Sequence, residues 1–183
     1  MWLVVGIVVV VIFVVLMYNT LINRKNQVDN IFASVDAILQ KRYNLIPNLV
    51  SSVKEYMKHE KSVLEKITTL RSNALKSNMT PEEKMEINKE ISSVLKSIMI
   101  AVENYPNLKA NENFLHLQKS LNEIEEQISA ARRAYNQAVT DYNNAIEMFP
   151  ANILAKYMGY ERKRPFEADE IARINPNVKD LFN

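Results

Sequence analysis

Two histidines are the side chains of this sequence best suited to metal binding or acid–base chemistry. The chain contains only His59 and His116 and has no cysteine, so a zinc site would need carboxylates to complete it. His59 is followed by Glu60 and has no second histidine four residues later, which excludes the two-histidine zinc motif of a helix. We therefore expect His59 to be a surface residue of a helix, with no metal bound.

Glutamates that face the interior of a helical bundle are a second possible metal site. Di-metal carboxylate bundles use a Glu-x-x-His spacing, but Glu112 precedes His116 by four residues and the acid beside His59 follows it. A glycine-rich phosphate loop is excluded because the only glycines are Gly6 and Gly159, and the sequence has no G-x-S-x-G motif. The sequence thus predicts no catalytic residue, no metal ligand and no cofactor.

The spacing of apolar residues predicts the elements that make up the fold. Between residues 28 and 74 apolar side chains recur at alternating steps of four and three, with the charged residues Arg42 and Glu60 inside the same stripe. This pattern predicts one long helix over residues 26–77 that continues through Pro47. The stripe is wide, which is typical of a helix in a bundle rather than in a two-stranded coiled coil.

Two further long helices are marked by their ends. The second begins at the Thr-Pro-Glu-Glu sequence of residues 80–83, which matches a capping box with proline at the first helical position, and it ends before Pro106. The third opens near Asn111, keeps the same apolar spacing and is closed by Pro150. We expect both helices to pack their apolar stripes in one core.

A short fourth helix completes the expected body. It covers about residues 151–158 and stops at Gly159, a residue suited to a left-handed C-terminal cap. The sequence therefore predicts an all-α fold, with an N-terminal transmembrane helix followed by an antiparallel bundle of three long helices and one short helix over residues 24–160. Residues 161–183 mix charges with two prolines and are expected to form an extended or partly disordered tail.

The N-terminal segment is long and apolar enough to anchor the chain in a membrane. Residues 2–22, named here the apolar segment, carry no charge, and about 20 such residues span a bilayer core. A secretory signal is the alternative, but no positive charge precedes the segment and no small-x-small cleavage site follows it. We expect a permanent single-pass anchor over residues 1–23, whose marker residues are Trp2, Val8, Ile12 and Leu16 in the apolar segment and Arg24 and Lys25 at its end.

Positive charge near the anchor predicts the side on which the body lies. Arg24, Lys25, Lys41 and Arg42 follow the apolar segment within about 20 residues, and cytoplasmic flanks carry such an excess. We therefore expect a cell-membrane protein whose bundle faces the cytoplasm. A formal net charge of +2 gives no sign of a nucleic-acid partner.

Several polar residues of the first predicted helix are candidates for structural or interaction roles. Arg42 is expected to pair with an acid on the third long helix, with a metal site as the alternative for such seam charges. Pro47 removes the hydrogen bond that would run to the carbonyl of Tyr43, and an amide side chain such as Asn44 or Asn48 could supply the missing donor. A bend at Pro47 either shapes a groove for a partner or improves bundle packing.

Two further candidate surfaces lie later in the chain. Tyr135 and Tyr142 lie in the seam of the third long helix, where tyrosines form either core or a binding surface. Arg162, Lys163 and Arg164 form a basic cluster that either contacts anionic lipid, at about 1 kcal/mol per charge, or remains solvated. If the three long helices run out, back and out again, this cluster lies far from the membrane, which favours a protein partner.

The run AILQKRYNLIPNLVSSVKEYMKHE at residues 37–60 resembles the LemA family of bacterial membrane-anchored helical proteins. The later segments NYPNLKANENFLHLQ, AARRAYNQAV, DYNNAI and FPANILAKYMGY extend the resemblance over nearly the whole chain. The resemblance implies a membrane-anchored helical architecture and no settled reaction. The family usually has an acid where this chain has Asn44, so no role that needs that acid is expected here.

The function that follows from these observations is an interaction protein without catalytic activity. We expect a membrane-anchored scaffold that contacts the lipid bilayer, binds an unidentified protein partner and self-associates. The alternatives are a membrane-shaping or anionic-lipid-binding module and a metal-binding or enzymatic bundle.

Overall fold

One helix carries the chain from the apolar segment into the bundle without a break. In the computed structural model, which describes residues 1–77 and 79–166, helix α1 spans Trp2–Val53. Its 52 residues correspond to a rod of about 78 Å. Residues 1–16 are exposed on every face, whereas a stripe that begins at Leu21 is buried in the core. The apolar segment and the first bundle helix are therefore one continuous element.

The expected extension of the first helix to residue 77 is wrong. Helix α1 ends at Val53, a turn and a 3-10 segment at Lys58–Glu60 follow, and helix α2 then spans Lys61–Ala74. Met57 is buried at this turn, whereas Tyr56, which the heptad pattern assigns to the seam, is partly exposed. No glycine or proline marks the reversal. It folds the apolar side chains of α2 back onto the core, and burial of that surface is the driving force.

The other helices agree closely with the sequence prediction, except that α4, a single turn at Pro106–Lys109, was not predicted. The capping box at Thr80 is formed, since the Glu83 N–H donates to the Thr80 hydroxyl at 3.2 Å and the Thr80 N–H donates to the Glu83 carboxylate at 2.8 Å. Asn111 caps its helix by accepting from the Phe114 N–H at 3.1 Å. Gly159, at φ +67°, ends the last helix as expected. The helices are α3 at Pro81–Val102, α4 at Pro106–Lys109, α5 at Glu112–Glu147 and α6 at Ala151–Tyr157.

Helix α5 runs antiparallel to α1 and returns toward the apolar segment. Asp141 of α5 contacts Arg24, Tyr135 contacts Phe32, and Glu125 contacts Arg42. Later residues of α5 therefore lie beside earlier residues of α1. The sequence analysis expected the third long helix, which corresponds to α5, to run away from the apolar segment. That expectation is wrong, because the reversal after Val53 adds one change of direction.

The bundle packs α1 mainly against α5 and α2 mainly against α3. Within residues 1–77 and 79–166 the secondary structure is helical, with turns and no strand, so the all-α prediction is confirmed. After α6, residues 161–166, named here the strap, run in extended form along α5. The rest of the predicted tail, residues 167–183, lies outside the described residues.

Candidate functional site

A buried arginine joins three helices in the middle of the bundle. The side chain of Arg42 in α1 donates to the Asn88 Oδ1 and to the Ser92 hydroxyl of α3, both at 2.8 Å. Its second terminal nitrogen lies 2.7 Å from the Glu125 carboxylate of α5. The expected pairing of Arg42 with an acid on the third long helix of the prediction is confirmed. One cation thereby sets the relative positions of α1, α3 and α5.

Burial shapes the electrostatics around this arginine. Arg42 is 4% exposed, and desolvation lowers its pKa from the ordinary value while Glu125 opposes the shift. Burial raises the pKa of the neighbouring Tyr43 to about 12. Among the described residues, the Arg42 Nε and the Tyr43 hydroxyl are buried without a hydrogen-bond partner. The cluster is therefore a desolvated polar contact that already lacks two hydrogen bonds.

The carbonyl that Pro47 leaves without its helical donor is satisfied by another helix. Pro47 lies inside α1 without ending it, and the Arg71 Nε of α2 donates to the Tyr43 carbonyl at 2.9 Å. The donor to this carbonyl is therefore Arg71, and not Asn44 or Asn48, the amide side chains that the sequence suggested as possible donors. Because Pro47 has no N–H, the Tyr43 carbonyl remains available to accept the hydrogen bond from Arg71 that connects α1 to α2.

Glu60, the last residue of the 3-10 segment, contacts Tyr105, the residue before α4, at the end of the bundle far from the apolar segment. The Tyr105 hydroxyl, which follows α3, lies 2.9 and 2.8 Å from the two Glu60 carboxylate oxygens. This hydrogen bond raises the pKa of Tyr105. Glu60 is therefore a structural partner at the reversal between α1 and α2.

Two asparagines of α5 hold the backbone of the strap. Asn143 accepts from the Lys163 N–H at 3.0 Å and donates to its carbonyl at 2.9 Å. Asn136 makes the same pair of bonds with Phe166, at 2.7 and 3.1 Å. Seven helical residues rise about 10.5 Å, and three extended residues span about 10 Å. The two asparagines therefore match the spacing of the backbone groups that they bind.

Aromatic rings fill the space beneath the strap. Phe166 is buried and meets Tyr135 edge to face, with ring centroids 5.2 Å apart, and Tyr135 meets Phe32 of α1 at 5.7 Å. The Tyr142 hydroxyl donates to the Glu161 carbonyl at 3.1 Å. Tyr135 and Tyr142 are each 2% exposed, so both belong to the core beneath the strap and neither forms an open surface.

The basic cluster of the strap is partly paired with acids of the bundle. Arg162 lies 2.9 Å from the Glu147 carboxylate, and Lys163 lies 2.5 Å from the carboxylate of Asp29 in α1. Arg164 is exposed and lines a cavity of about 210 Å³ between the strap and α3. Two of the three cations thus hold the strap to the bundle.

The side chains considered for metal binding do not converge. His59 and His116 are both exposed. Among residues 1–77 and 79–166, no group of three or more histidine, cysteine, aspartate or glutamate side chains could hold a metal ion. Glu112 and Glu123 are exposed as well.

The apolar segment is helical and exposed, as a helix that lies in a membrane would be. Trp2, Val8, Ile12 and Leu16 are each at least half exposed, and α1 is the one helix of the described residues that is long and apolar enough to cross a membrane. Arg24, beyond the end of the segment, pairs with Asp141 of α5 at 3.3 Å. Lys25 lies 5.7 Å from the centroid of the Tyr160 ring.

Comparison with known families and proteins identifies relatives over most of the chain. The model of the LemA family matches residues 31–179. The chain belongs to the LemA family. The match begins inside α1 and includes α2 to α6 and the strap. The predicted family is therefore confirmed, and the chain is a membrane-associated helical protein of this family.

Named relatives of this LemA-family chain come from two bacterial groups. The chain is 27% identical to Protein LemA of Metamycoplasma hominis over 165 residues, which cover 90% of this chain and 75% of that protein. It is 25% identical over 175 residues to the magnetosome proteins MamQ 1 and MamQ 2 of Paramagnetospirillum magneticum. That match covers 82% of this chain and 64% of each relative, so the chain spans less than two thirds of the two MamQ proteins.

Sequence reasoning missed the asparagines that hold the strap of this LemA-family chain. A signal was present, because the dipeptide Tyr-Asn occurs at residues 135–136 and again at 142–143, seven residues apart. Such a repeat places two amides on one face of a helix. Lys84, which lies 2.6 Å from Asp36 of α1, was also missed.

Proposed function

We propose that this LemA-family chain is a single-pass membrane scaffold whose bundle presents its surface to a protein partner or to a second copy, without catalysis. The proposal places the anchor at residues 1–23, the helical body at 24–160 and the tail at 161–183. The observation that carries it is the continuity of α1 from the exposed apolar segment into the buried core. A continuous helix of this kind holds the body at a set height above the bilayer, which suits a scaffold.

The use of polar groups inside the bundle supports a role without catalysis. Catalytic sites gather titratable groups with shifted pKa values around an open pocket. Here the buried guanidinium of Arg42 is bonded to Asn88, Ser92 and Glu125. The cavity beside this cluster, at about 210 Å³, is smaller than the roughly 300–1,000 Å³ of ordinary ligand pockets.

The proposed orientation places the body in the cytoplasm. Arg24 and Lys25 follow the apolar segment, and Lys156 of α6 adds an exposed cation at the same end of the bundle. Lysines and arginines next to a membrane helix favour the cytoplasmic side. A protease added outside intact cells should leave the bundle uncut, and cleavage within residues 24–160 would contradict this orientation.

Crosslinking in native membranes tests the scaffold role. A photoreactive residue at Asn44 or at Asn48 would sample the exposed face of α1 that also carries Pro47. The matched control is the same residue at Ile12, which samples lipid. We expect discrete protein adducts, either to a partner or to a second copy, from the Asn44 and Asn48 positions but not from Ile12. A chain that gives no adduct from the bundle, or that carries a stoichiometric metal when purified, would contradict the proposal.

A further inference from the structure

A row of exposed apolar side chains lies where α5 turns into α6. In this region, residues 148–157 and named here the elbow, Met148 is 63% exposed, Phe149 81%, Ile153 66% and Tyr157 91%. Ile153 and Tyr157 are four residues apart and share one face of α6. Contiguous apolar exposure of this kind marks a contact with a partner or a membrane.

The position of the elbow beside α1 indicates whether it contacts a partner or a membrane. Met148, Pro150 and Ala151 line a groove of about 540 Å³ together with residues of the apolar segment, including Phe13 and Leu16. Leu16 precedes Arg24 by eight residues, or about 12 Å along the helix axis. The elbow therefore lies where the apolar segment would pass from the hydrocarbon core to the headgroups.

The charges around the elbow suit the same position. Asp141 and Glu147, the acids at this end of α5, pair with Arg24 at 3.3 Å and with Arg162 at 2.9 Å. The exposed Lys156 of α6 adds a positive charge. Paired acids reduce the cost of moving this end of the bundle next to lipid, and a lysine beside apolar and aromatic residues is typical of an interfacial segment.

We infer that the elbow is a second membrane contact of this chain. Met148, Phe149 and Ile153 enter the boundary between headgroups and acyl chains, in the leaflet in which the apolar segment ends. Tyr157 and Lys156 lie at the headgroups, where tyrosine is enriched. The occupant of the groove is a lipid acyl chain. The inference rests on the proposed spanning of the bilayer by α1.

A second contact would restrict the motion of the bundle. A single helix leaves the body free to rotate about the helix axis and to tilt. Contact through α1 and the elbow together defines both angles, which gives the scaffold one face toward the membrane and another toward its partners. The elbow thereby determines which surface of the bundle is available to bind.

Tryptophan quenching by brominated lipid tests this contact in the full chain. The wild-type protein has one tryptophan, Trp2, which reports on the anchor. In a Trp2→Phe background, Phe149→Trp reports on the elbow and Leu115→Trp reports on the opposite end of α5, where Leu115 is 47% exposed. In phosphatidylcholine vesicles we expect Phe149→Trp to lose roughly half of its emission, most strongly with bromines near the headgroup, since interfacial segments insert about 5–10 Å. Leu115→Trp should keep its emission.

Each alternative gives a different result. Quenching of Trp2 without quenching of Phe149→Trp would overturn the second contact and leave the anchor in place, whereas failure of both would contradict the spanning of α1. A blue-shifted Phe149→Trp emission that bromine does not quench would assign the elbow to a second copy or a protein partner. If Phe149→Trp does not fold, a spin label at Ile153→Cys decides. Greater collision with oxygen than with a water-soluble nickel complex supports the contact, and the reverse order overturns it.

Discussion

The bundle uses polar side chains in two regions that differ in their access to water. At the centre, Arg42 is withdrawn from solvent and bonded to side chains of two other helices. Along one side of α5, the half-buried Asn136 and the buried Asn143 bind the backbone of the strap, whose own residues are mostly exposed. One region places a charge inside the core, and the other attaches a peptide to the outside.

The difference determines how far a local change spreads. A buried charge that loses a partner cannot exchange it for water, so the cost falls on the whole bundle. A strap that loses an asparagine can be hydrated where it detaches, so the loss remains a local opening. We therefore expect changes at the centre to alter global stability and changes at the strap to alter local protection.

Removal of the carboxylate beside Arg42 should have the largest effect. We expect Glu125→Ala to lower the free energy of unfolding by about 2 kcal/mol, below the usual cost of breaking a buried pair because the Glu125 side chain is 49% exposed. Urea denaturation of the full chain in detergent measures the change. The control Glu123→Ala removes an exposed acid 4.0 Å from Lys119 and should cost less than about 0.5 kcal/mol. Equal effects of the two variants would contradict the distinction.

Loss of the hydrogen bond from Arg71 to the Tyr43 carbonyl should have the second largest effect on the free energy of unfolding. We expect Arg71→Met to cost about 1.5 kcal/mol, because it leaves a carbonyl that Pro47 has deprived of its helical donor. In a Pro47→Ala background the new N–H can donate to the same carbonyl, so the cost of Arg71→Met should fall. A double-mutant cycle measures this coupling. Additive effects would show that the two residues act independently.

Loss of one of the α5 asparagines that bind the strap should affect the strap and leave the rest of the bundle unchanged. We expect Asn143→Ala to weaken two backbone hydrogen bonds of Lys163 at a global cost of about 1 kcal/mol or less. Hydrogen exchange should become faster at the Lys163 amide and remain slow in the middle of α5. The neighbouring exposed Asn144 offers the matched control, Asn144→Ala, which should change neither. Faster exchange throughout the bundle would indicate that the strap is part of the global core.

The buried hydroxyl of Tyr43 should have the smallest effect at neutral pH. Tyr43→Phe removes a group that is buried without a partner, so stability should be unchanged or slightly higher. Burial raises the pKa of Tyr43 to about 12 from its ordinary value of 10.0. The Tyr43 hydroxyl therefore holds its proton more tightly in the folded state than in the unfolded state. The resulting contribution to the free energy of unfolding is fully present below pH 10 and is lost as the pH rises toward 12. Thermal melts over that range should show a smaller alkaline loss for Tyr43→Phe than for the wild type.

The parts of the fold that the sequence predicted are those with local signals. The capping box at Thr80 and the left-handed cap at Gly159 depend on residues within a few positions of each other, and both are formed. The reversal after Val53 has no such signal, because it depends on distant residues of α2 that pack on the core. The error in the first helix then reversed the predicted direction of α5.

The candidate site was predictable to a similar extent. A cation in an apolar stripe must find an acid, so the pairing of Arg42 was foreseen, although the pattern alone does not select Glu125. The strap was missed because its asparagines bind main-chain atoms, which leave no trace in the residue types of the strap itself. Only the repeated Tyr-Asn dipeptide of α5 hinted at it.

The direction of α5 relative to α1 underlies the account of the strap and the elbow, and a single distance tests it. The chain has no cysteine, so spin labels can be placed by Thr20→Cys and Asn144→Cys, two exposed positions that line the same groove. Pulsed electron paramagnetic resonance on the full chain in lipid should give a distance below about 25 Å for this pair. Thr20→Cys with Leu115→Cys should give about 45 Å, since Leu115 lies 29 residues before Asn144, or about 44 Å along α5. A distance above about 60 Å for the first pair, as expected if α5 ran away from the apolar segment, would contradict the account.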